Sequence, residues 1–218
     1  MKLKVVSKIL DANEKIAQEN RKVFDQNRVF VVNLMSSPGA GKTTLLEQTI
    51  RSLRDRVRIA VIEGDITGTD DAQRIDALGV PVVQINTEGG CHLDASMVQE
   101  ALNDLPIGDI ELLFVENVGN LVCPAEFYIG EDIKAMVLSI TEGHDKPLKY
   151  PMMFRQSRAA VINKIDLKDY LDVDIEKIKR DIYTLNPTIS LFETSCKTGQ
   201  GIAAWTEWIE THCLCRRP

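Results

Sequence analysis

The sequence predicts an α/β protein, a mainly parallel sheet with helices on both faces. Three observations lead there. Runs such as Leu112–Glu116 and Ala159–Asn163 are short and almost wholly apolar, as strands buried on both faces are. Segments with helical spacing separate those runs, the alternation of strand–helix–strand units. The first apolar run ends in a glycine-rich turn that leads straight into a helical stretch.

Taken in order, residues 7–25 are polar, with Ile9, Leu10, Ala12, Ile16, Ala17, Val23 and Phe24 spaced as one helical face. They predict an amphipathic helix that lies on the domain; a face offered to a partner is the alternative. Val29-Phe30-Val31-Val32-Asn33-Leu34-Met35 is the first strand, and residues 44–50 form the helix after the turn. Further strands are predicted at 58–63, 80–85, 112–116, 135–140, 159–163 and 189–193, with Pro81 marking an end or an edge. Helices are predicted at 70–78, 94–104, 174–185 and 202–212. Residues 141–157 have few helix signals and three prolines or glycines, so they read as an ordered loop. With no internal repeat and no low-complexity linker, residues 1–218 read as a single domain with its helix at about 7–25.

Composition narrows the function. A chain of 218 residues can bury a sizeable core. No apolar run approaches the roughly 18 residues of a membrane span, and the N-terminal lysines are not followed by a secretory apolar stretch. A net charge of −6 gives no support for a nucleic-acid partner. Five cysteines without a secretion signal point to a reducing, cytoplasmic setting and away from a disulfide framework.

The turn itself carries the chemistry. Ser36-Ser37-Pro38-Gly39-Ala40-Gly41-Lys42-Thr43-Thr44 between strand and helix is the context of a phosphate-binding loop, or P-loop, and makes the predicted fold a doubly wound P-loop NTPase. Consecutive N–H groups of such a loop face one concavity, and the helix N-terminus adds its dipole. Gly39, Ala40, Gly41 and Thr44 are assigned to phosphate contacts, Lys42 to the β- and γ-phosphates, and the Thr43 hydroxyl to Mg²⁺. Ser36 stands where the pattern begins with glycine. Asn163-Lys164-Ile165-Asp166 follows a buried strand. Its carboxylate can accept from both the ring N–H and the exocyclic amine of guanine, a pair that adenine lacks. Lys164 is assigned to the base plane and Asn163 to bracing the loops. Ser195-Cys196-Lys197 resembles a Ser-Ala-Lys loop whose backbone N–H meets the guanine O6, with Cys196 a bystander as a thiol. Asp65 and Glu116, at strand ends, are assigned to Mg²⁺ and the attacking water, and the Gly119 N–H to the γ-phosphate. Asp70 and Asp71 compete for the metal role, and Asp70 also reads as a helix cap. Lys42, Asp65 and Glu116 are therefore the catalytic candidates.

Cys91-His92 and Cys123-Pro124 offer ligands suited to Zn²⁺ or Ni²⁺. On residue type alone, unrelated buried cysteines and a surface histidine explain them as well. Cys213 and Cys215 read as incidental thiols of a mobile tail, with soft-metal binding as the alternative.

Over nearly its whole length the sequence resembles the HypB family, SIMIBI-class P-loop GTPases that help insert nickel into nickel–iron hydrogenases. The likeness rests on the P-loop, Glu63-Gly64-Asp65, Gly90-Cys91-His92-Leu93-Asp94, the stretch from Glu116 to Pro124, Asp145-Lys146-Pro147-Leu148-Lys149-Tyr150-Pro151 and Asn163-Lys164-Ile165-Asp166. The resemblance implies a Zn²⁺ or Ni²⁺ site of Cys91, His92 and Cys123 at a GTP-dependent dimer interface. It also implies a GTP/GDP cycle with Mg²⁺, a HypA-like nickel chaperone as partner and a hydrogenase large-subunit precursor as acceptor. Some relatives carry a nickel-binding histidine-rich tract or cysteine motif near the N-terminus, whereas the first histidine here is His92. A urease-type nickel GTPase and a P-loop small-molecule kinase are the rival readings. The separation of Cys91-His92 from Cys123-Pro124 speaks against the first, and Asn163-Lys164-Ile165-Asp166 against the second.

Overall fold

In the computed structural model, residues 2–216 are described, with side chains from Leu10 onward, so Ile9 of the predicted helical face lies outside the described side chains. Seven strands form one sheet in the order β3-β2-β4-β1-β5-β6-β7. They are β1 (Phe30–Ser36), β2 (Ile59–Asp65), β3 (Val82–Asn86), β4 (Leu112–Glu116), β5 (Ile133–Ser139), β6 (Ala159–Asn163) and β7 (Ser190–Glu193). Every neighbouring pair is parallel. Pro81 stands just before β3, an edge strand, where its missing N–H leaves no gap in the ladder.

Side chains of a strand alternate between faces. Phe30, Val32 and Leu34 enter one layer with Leu45 and Ile50 of α2 (Lys42–Leu53) and Trp205 and Ile209 of α9 (Ile202–Leu214). On the opposite face Val31 packs with Phe24 of α1 (Lys2–Asn27) and Val98 of α4 (Ala95–Ala101). Met35, also on that face, packs with Ile178 and Ile182 of α8 (Ile175–Leu185). Both faces are thus covered, which is why most strand residues are apolar.

Strand β1 lies between β4 and β5, and the chain leaves it toward β2 but returns to β5 on the other side. Ligands of doubly wound sheets bind beyond the strand ends at such a reversal. The P-loop occupies that place, between β1 and α2.

Four details depart from the sequence reading. Ala12 is exposed, and the buried stripe of α1 is Asn13, Ala17, Asn20 and Phe24. Asn20 Nδ2 donates to the Ala95 carbonyl at 2.8 Å and Asn13 Oδ1 accepts from Ala95 N at 2.9 Å, so polar contacts hold this helix to α4. Residues 141–157 are not simply a loop: α6 (Lys146–Lys149) and α7 (Pro151–Arg155) form there, each with a proline in its first turn. Proline is a helix-start residue at that position, since its missing N–H costs nothing. Asp70 is not a cap but the first residue of α3 (Asp70–Asp76), after Thr69. Cys213 is not in a tail; it is buried against the core on α9.

Trp205 is fully buried, donates from Nε1 to Thr49 Oγ1 at 2.9 Å and meets Phe192 edge-on at 5.5 Å. Trp205→Ala should therefore lower stability by about 3–5 kcal/mol, read as a fall in the urea midpoint. A loss below ~1 kcal/mol would mean that α9 is not part of the main core.

Candidate functional site

The P-loop is shaped by two glycines in the left-handed region, Gly39 at φ 74° and Gly41 at φ 95°. A Cβ on Gly41 would also lie 2.6 Å from Asn163 Nδ2. Lys42, at the start of α2, turns its ammonium back to Ser36 Oγ at 3.1 Å, with Glu116 Oε1 at 4.0 Å. Ser36 is buried, and its hydroxyl also donates to the Ser37 carbonyl at 2.6 Å. The serine in place of glycine therefore orients the lysine.

Beyond the loop lies an open cavity of about 460 Å³, bordered by Gly39, Lys42, Thr43, Thr44, Asp65, Glu116, Gly119 and Lys164. Thr43 Oγ1 donates to Glu116 Oε1 at 2.7 Å. Glu116 shares this place with carboxylates of Glu63 and Asp71, the ligand atoms all within 4.8 Å of one another. Burial, then the neighbouring Glu116, pushes the Glu63 carboxyl up to about 8. Burial also raises Glu116, against the pull of Lys42 and Thr43. Glu63 Oε2 and Glu116 Oε2 are buried without a hydrogen-bond partner. Clustered carboxylates with unmet oxygens beside a threonine hydroxyl suit a hard divalent cation such as Mg²⁺.

Asp65 borders the same cavity, but its oxygens close its own loop, accepting from Ile66 N at 2.6 Å and Gly68 N at 2.9 Å. In the sequence, Glu63 belongs to the acidic strand end Glu63-Gly64-Asp65, whose role is assigned to Asp65, and Arg74 has no assigned role. A glutamate inside the apolar run ending β2 was the available signal for Glu63. Arg74 had none: it reaches Glu47 at 3.0 Å, Asp71 at 2.7 Å and Thr44 Oγ1 at 3.2 Å across α2 and α3.

The residues assigned to the base gather at the ends of β6 and β7. Asn163 Nδ2 donates to the Ala40 carbonyl at 3.0 Å, and its Oδ1 accepts from Thr194 Oγ1 at 3.1 Å and Cys196 Sγ at 3.4 Å. One amide thus ties the P-loop to the loop after β7. Lys164 takes the left-handed conformation at φ 63°, strained for a residue with a Cβ, and its ammonium donates to the Gly39 carbonyl at 2.7 Å. Asp166 Oδ1 accepts from Ser195 Oγ at 2.6 Å, which leaves a carboxylate oxygen for a ligand. Burial pushes the Cys196 thiol up to about 11, so it stays protonated. Lys197 follows at the turn beyond β7.

Cys91, His92 and Cys123 form a second cluster. Cys91 Sγ lies 3.1 Å from Cys123 Sγ and 3.6 Å from His92 Nδ1. Burial, then the neighbouring Cys91, pushes the Cys123 thiol up, and partial burial lowers the His92 imidazole. Two sulfurs and an imidazole suit Zn²⁺ or Ni²⁺ and leave one position open.

The two sites share one segment. Asn117 Oδ1 accepts from Val118 N at 3.0 Å and from Leu93 N, next to His92, at 2.9 Å. Asn120 Nδ2 donates to the Cys91 carbonyl at 3.1 Å, and its Oδ1 accepts from Val122 N at 2.8 Å. Gly119 sits against the P-loop so closely that a Cβ there would lie 2.9 Å from Pro38 Cα.

Residues 30–193 match the CobW/HypB/UreG nucleotide-binding domain family. Hydrogenase maturation factor HypB of Escherichia coli (strain K12) is 49% identical over 209 residues, which cover 96% of this chain and 72% of that protein. The crystal structure of hydrogenase maturation factor HypB from Archaeoglobus fulgidus superposes with a TM-score of 0.88 at 36% identity, covering 94% of this chain and 100% of that one. That of HypB from Helicobacter pylori in complex with nickel gives 0.88 at 34% identity, covering 93% and 95%.

Gly119→Ala should displace Pro38 or its own segment, because neither side of the contact is a flexible side-chain tip. GDP affinity, measured with a fluorescent nucleotide, should fall by about tenfold or more, roughly 1.4 kcal/mol. Unchanged affinity would mean that this close approach has no bearing on the phosphate cavity.

Proposed function

We propose that this chain, which belongs to the CobW/HypB/UreG family of nucleotide-binding proteins, is a GTPase that gates nickel delivery during hydrogenase maturation. The observation that carries the reading is the shared segment 116–123. It begins at a carboxylate beside the P-loop threonine and ends at a thiol of the Cys91–His92–Cys123 cluster. A phosphate-sensing stretch that ends in a metal ligand is what a nucleotide-gated metal carrier needs.

The geometry supports a role for each residue. Backbone N–H groups of Gly39, Ala40, Gly41 and Thr44 hold phosphate oxygens, and Lys42 leaves Ser36 for the β- and γ-phosphates. Thr43 and Glu116 would hold Mg²⁺, with Glu63 and Asp71 in reach, and the ion would screen charge on the phosphates. Asp65 orients the attacking water once its loop opens, and Gly119 donates its N–H to the γ-phosphate. Asp166 reads the guanine edge, Lys164 covers the base, and the Ser195–Cys196–Lys197 turn offers its backbone N–H to O6. Asn163 holds the two loops in register. Nickel is the cargo, taken by Cys91, His92 and Cys123, and zinc fits the same donors.

The sheet and its covering helices act as a single domain, and α1 is part of it. Among the described residues no helix is long and apolar enough to cross a membrane; the proposed setting is the cytoplasm. A GTP-dependent homodimer, a HypA-like chaperone and a hydrogenase precursor complete the proposal. The relative from Helicobacter pylori was crystallised with nickel, which supports nickel as the cargo here. A kinase reading is disfavoured because a carboxylate aimed at guanine serves no small-molecule phosphorylation.

Turnover tests the reading. Lys42→Ala should abolish GTP hydrolysis and weaken nucleotide binding, whereas Asp166→Asn should keep the fold and shift preference from GTP toward XTP. That exchange replaces an acceptor by a donor, matching the exocyclic oxygen of xanthine, and polar mismatches of this kind discriminate by factors of about 10⁴. Near-normal turnover in Lys42→Ala, or wild-type preference for GTP over XTP in Asp166→Asn, would contradict the assignment.

A further inference from the structure

Lys134 is the second residue of β5 and the one charged residue on a strand otherwise made of Ile133, Ala135, Met136, Val137, Leu138 and Ser139. Its side chain is 10% exposed. The ammonium donates to the carbonyls of Pro124 at 3.2 Å, Ala125 at 2.8 Å and Phe127 at 2.9 Å, with Glu131 Oε1 at 3.6 Å. A buried lysine is costly, and burial lowers its pKa here. No role in the sheet or in the nucleotide cavity accounts for it.

The carbonyls that it gathers do. They belong to α5 (Cys123–Glu126) and the residue after it, Phe127. A single helical turn cannot satisfy its own last carbonyls, and a cation there meets both their lone pairs and the end of the dipole. The residue that opens this turn is Cys123. Phe127, the third acceptor, lays its ring 3.9 Å from the imidazole of His92, centroid to centroid. Through one turn of helix and one aromatic ring, a single ammonium fixes a thiol and an imidazole of the metal cluster. Lys134 is also paired across the sheet with Asn33, whose Oδ1 accepts from Asn117 Nδ2 at 3.2 Å. The anchor is thereby tied to the strand that leads into the P-loop.

We propose that Lys134 is a positioning residue for the Cys91–His92–Cys123 metal site, holding Cys123 and His92 where one ion can take both. The inference rests on the metal reading above and adds the residue that sets its geometry. Groups that orient metal ligands without touching the ion typically change affinity by about 10–100-fold when removed.

The test uses the full chain and Zn²⁺ or Co²⁺ alone as probe. Glu131→Gln/Lys134→Met removes the donor without leaving Glu131 as an unpaired buried charge. Lys134→Arg keeps the donors, and the open cavity of about 670 Å³ that Lys134 borders gives the larger side chain room. In competition titrations the double variant should bind Zn²⁺ about 10–100-fold more weakly than wild type, and its Co²⁺ thiolate charge-transfer bands should shift. Lys134→Arg should recover most of the affinity, and GDP affinity should stay within about twofold in both. Wild-type affinity and unshifted Co²⁺ bands in the double variant would overturn the inference, as would an equal loss of GDP binding. If the double variant does not fold, wild-type protein carrying ¹⁵Nζ-lysine decides, with the resonance assigned by its loss in Lys134→Arg. Zn²⁺ should shift the Lys134 signal, and an unmoved signal overturns the inference. Wild type that binds Zn²⁺ no better than Cys123→Ala would instead sink the metal reading itself.

Discussion

The side-chain oxygen Oδ1 of Asn117, buried just beyond β4, accepts from Leu93 N at 2.9 Å and Val118 N at 3.0 Å. Its side-chain nitrogen Nδ2 donates to Asn33 Oδ1 in β1 at 3.2 Å. The strand that feeds the P-loop, the segment beside the phosphate cavity and the backbone next to His92 therefore meet at one side chain. Breaking any of these bonds would leave a buried polar group unmet, at a cost of about 1–3 kcal/mol. Leu93 adds a second constraint. It is fully buried against Gly64, where a Cβ would lie 2.7 Å from its side chain. A displacement of β2, β4 or β1 at their C-terminal ends consequently reaches the Cys91–His92 loop.

Charge explains why such displacements are to be expected. Glu63 and Glu116 are buried with unmet oxygens, and Lys42 is 4.0 Å from Glu116 and bonded to Ser36. A nucleotide with its divalent cation would draw Lys42 toward the phosphates and give the carboxylates a counter-ion. The Thr43–Glu116 hydrogen bond and the Asp65 loop would rearrange with it, because both use oxygens suited to that cation. On this account the nucleotide state is converted into the position of residues 116–123. Four residues separate Gly119 from Cys123, a stretch of at most about 14 Å, and Pro124 stiffens its exit.

Much of this was legible in the sequence. The seven strands announced themselves because burial on both faces leaves short, mostly apolar runs. The P-loop was visible because Gly39, Gly41, Lys42 and Thr43 lie within one short stretch between a strand and a helix. What the sequence hid depends on contacts between distant residues. Asn13 and Asn20 read as the polar face of α1, yet they are buried because Ala95 and Tyr128 offer backbone partners. Pro147 and Pro151 read as breakers, although each begins a short helix. Asn117, Asn120 and Lys134 carried no local signal, since their roles come from the carbonyls and N–H groups that folding sets before them. Asp65 and Glu63 show the same limit: both are acidic residues near the end of β2, and only the fold reveals that Asp65 accepts from its own loop while Glu63 lies beside Glu116.

Under the proposed function, nucleotide state and metal affinity form one linked equilibrium. Competition titration of Ni²⁺ and Zn²⁺ into the protein loaded with GDP, and with a non-hydrolysable GTP analogue, tests it most directly, with Cys123→Ala as the control. Metal affinities should differ between the two states by about 5–150-fold for at least one metal, and nucleotide affinities should differ by the same factor with and without that metal. Identical affinities for both metals in both states would contradict it, and the Cys91–His92–Cys123 site would then be structural.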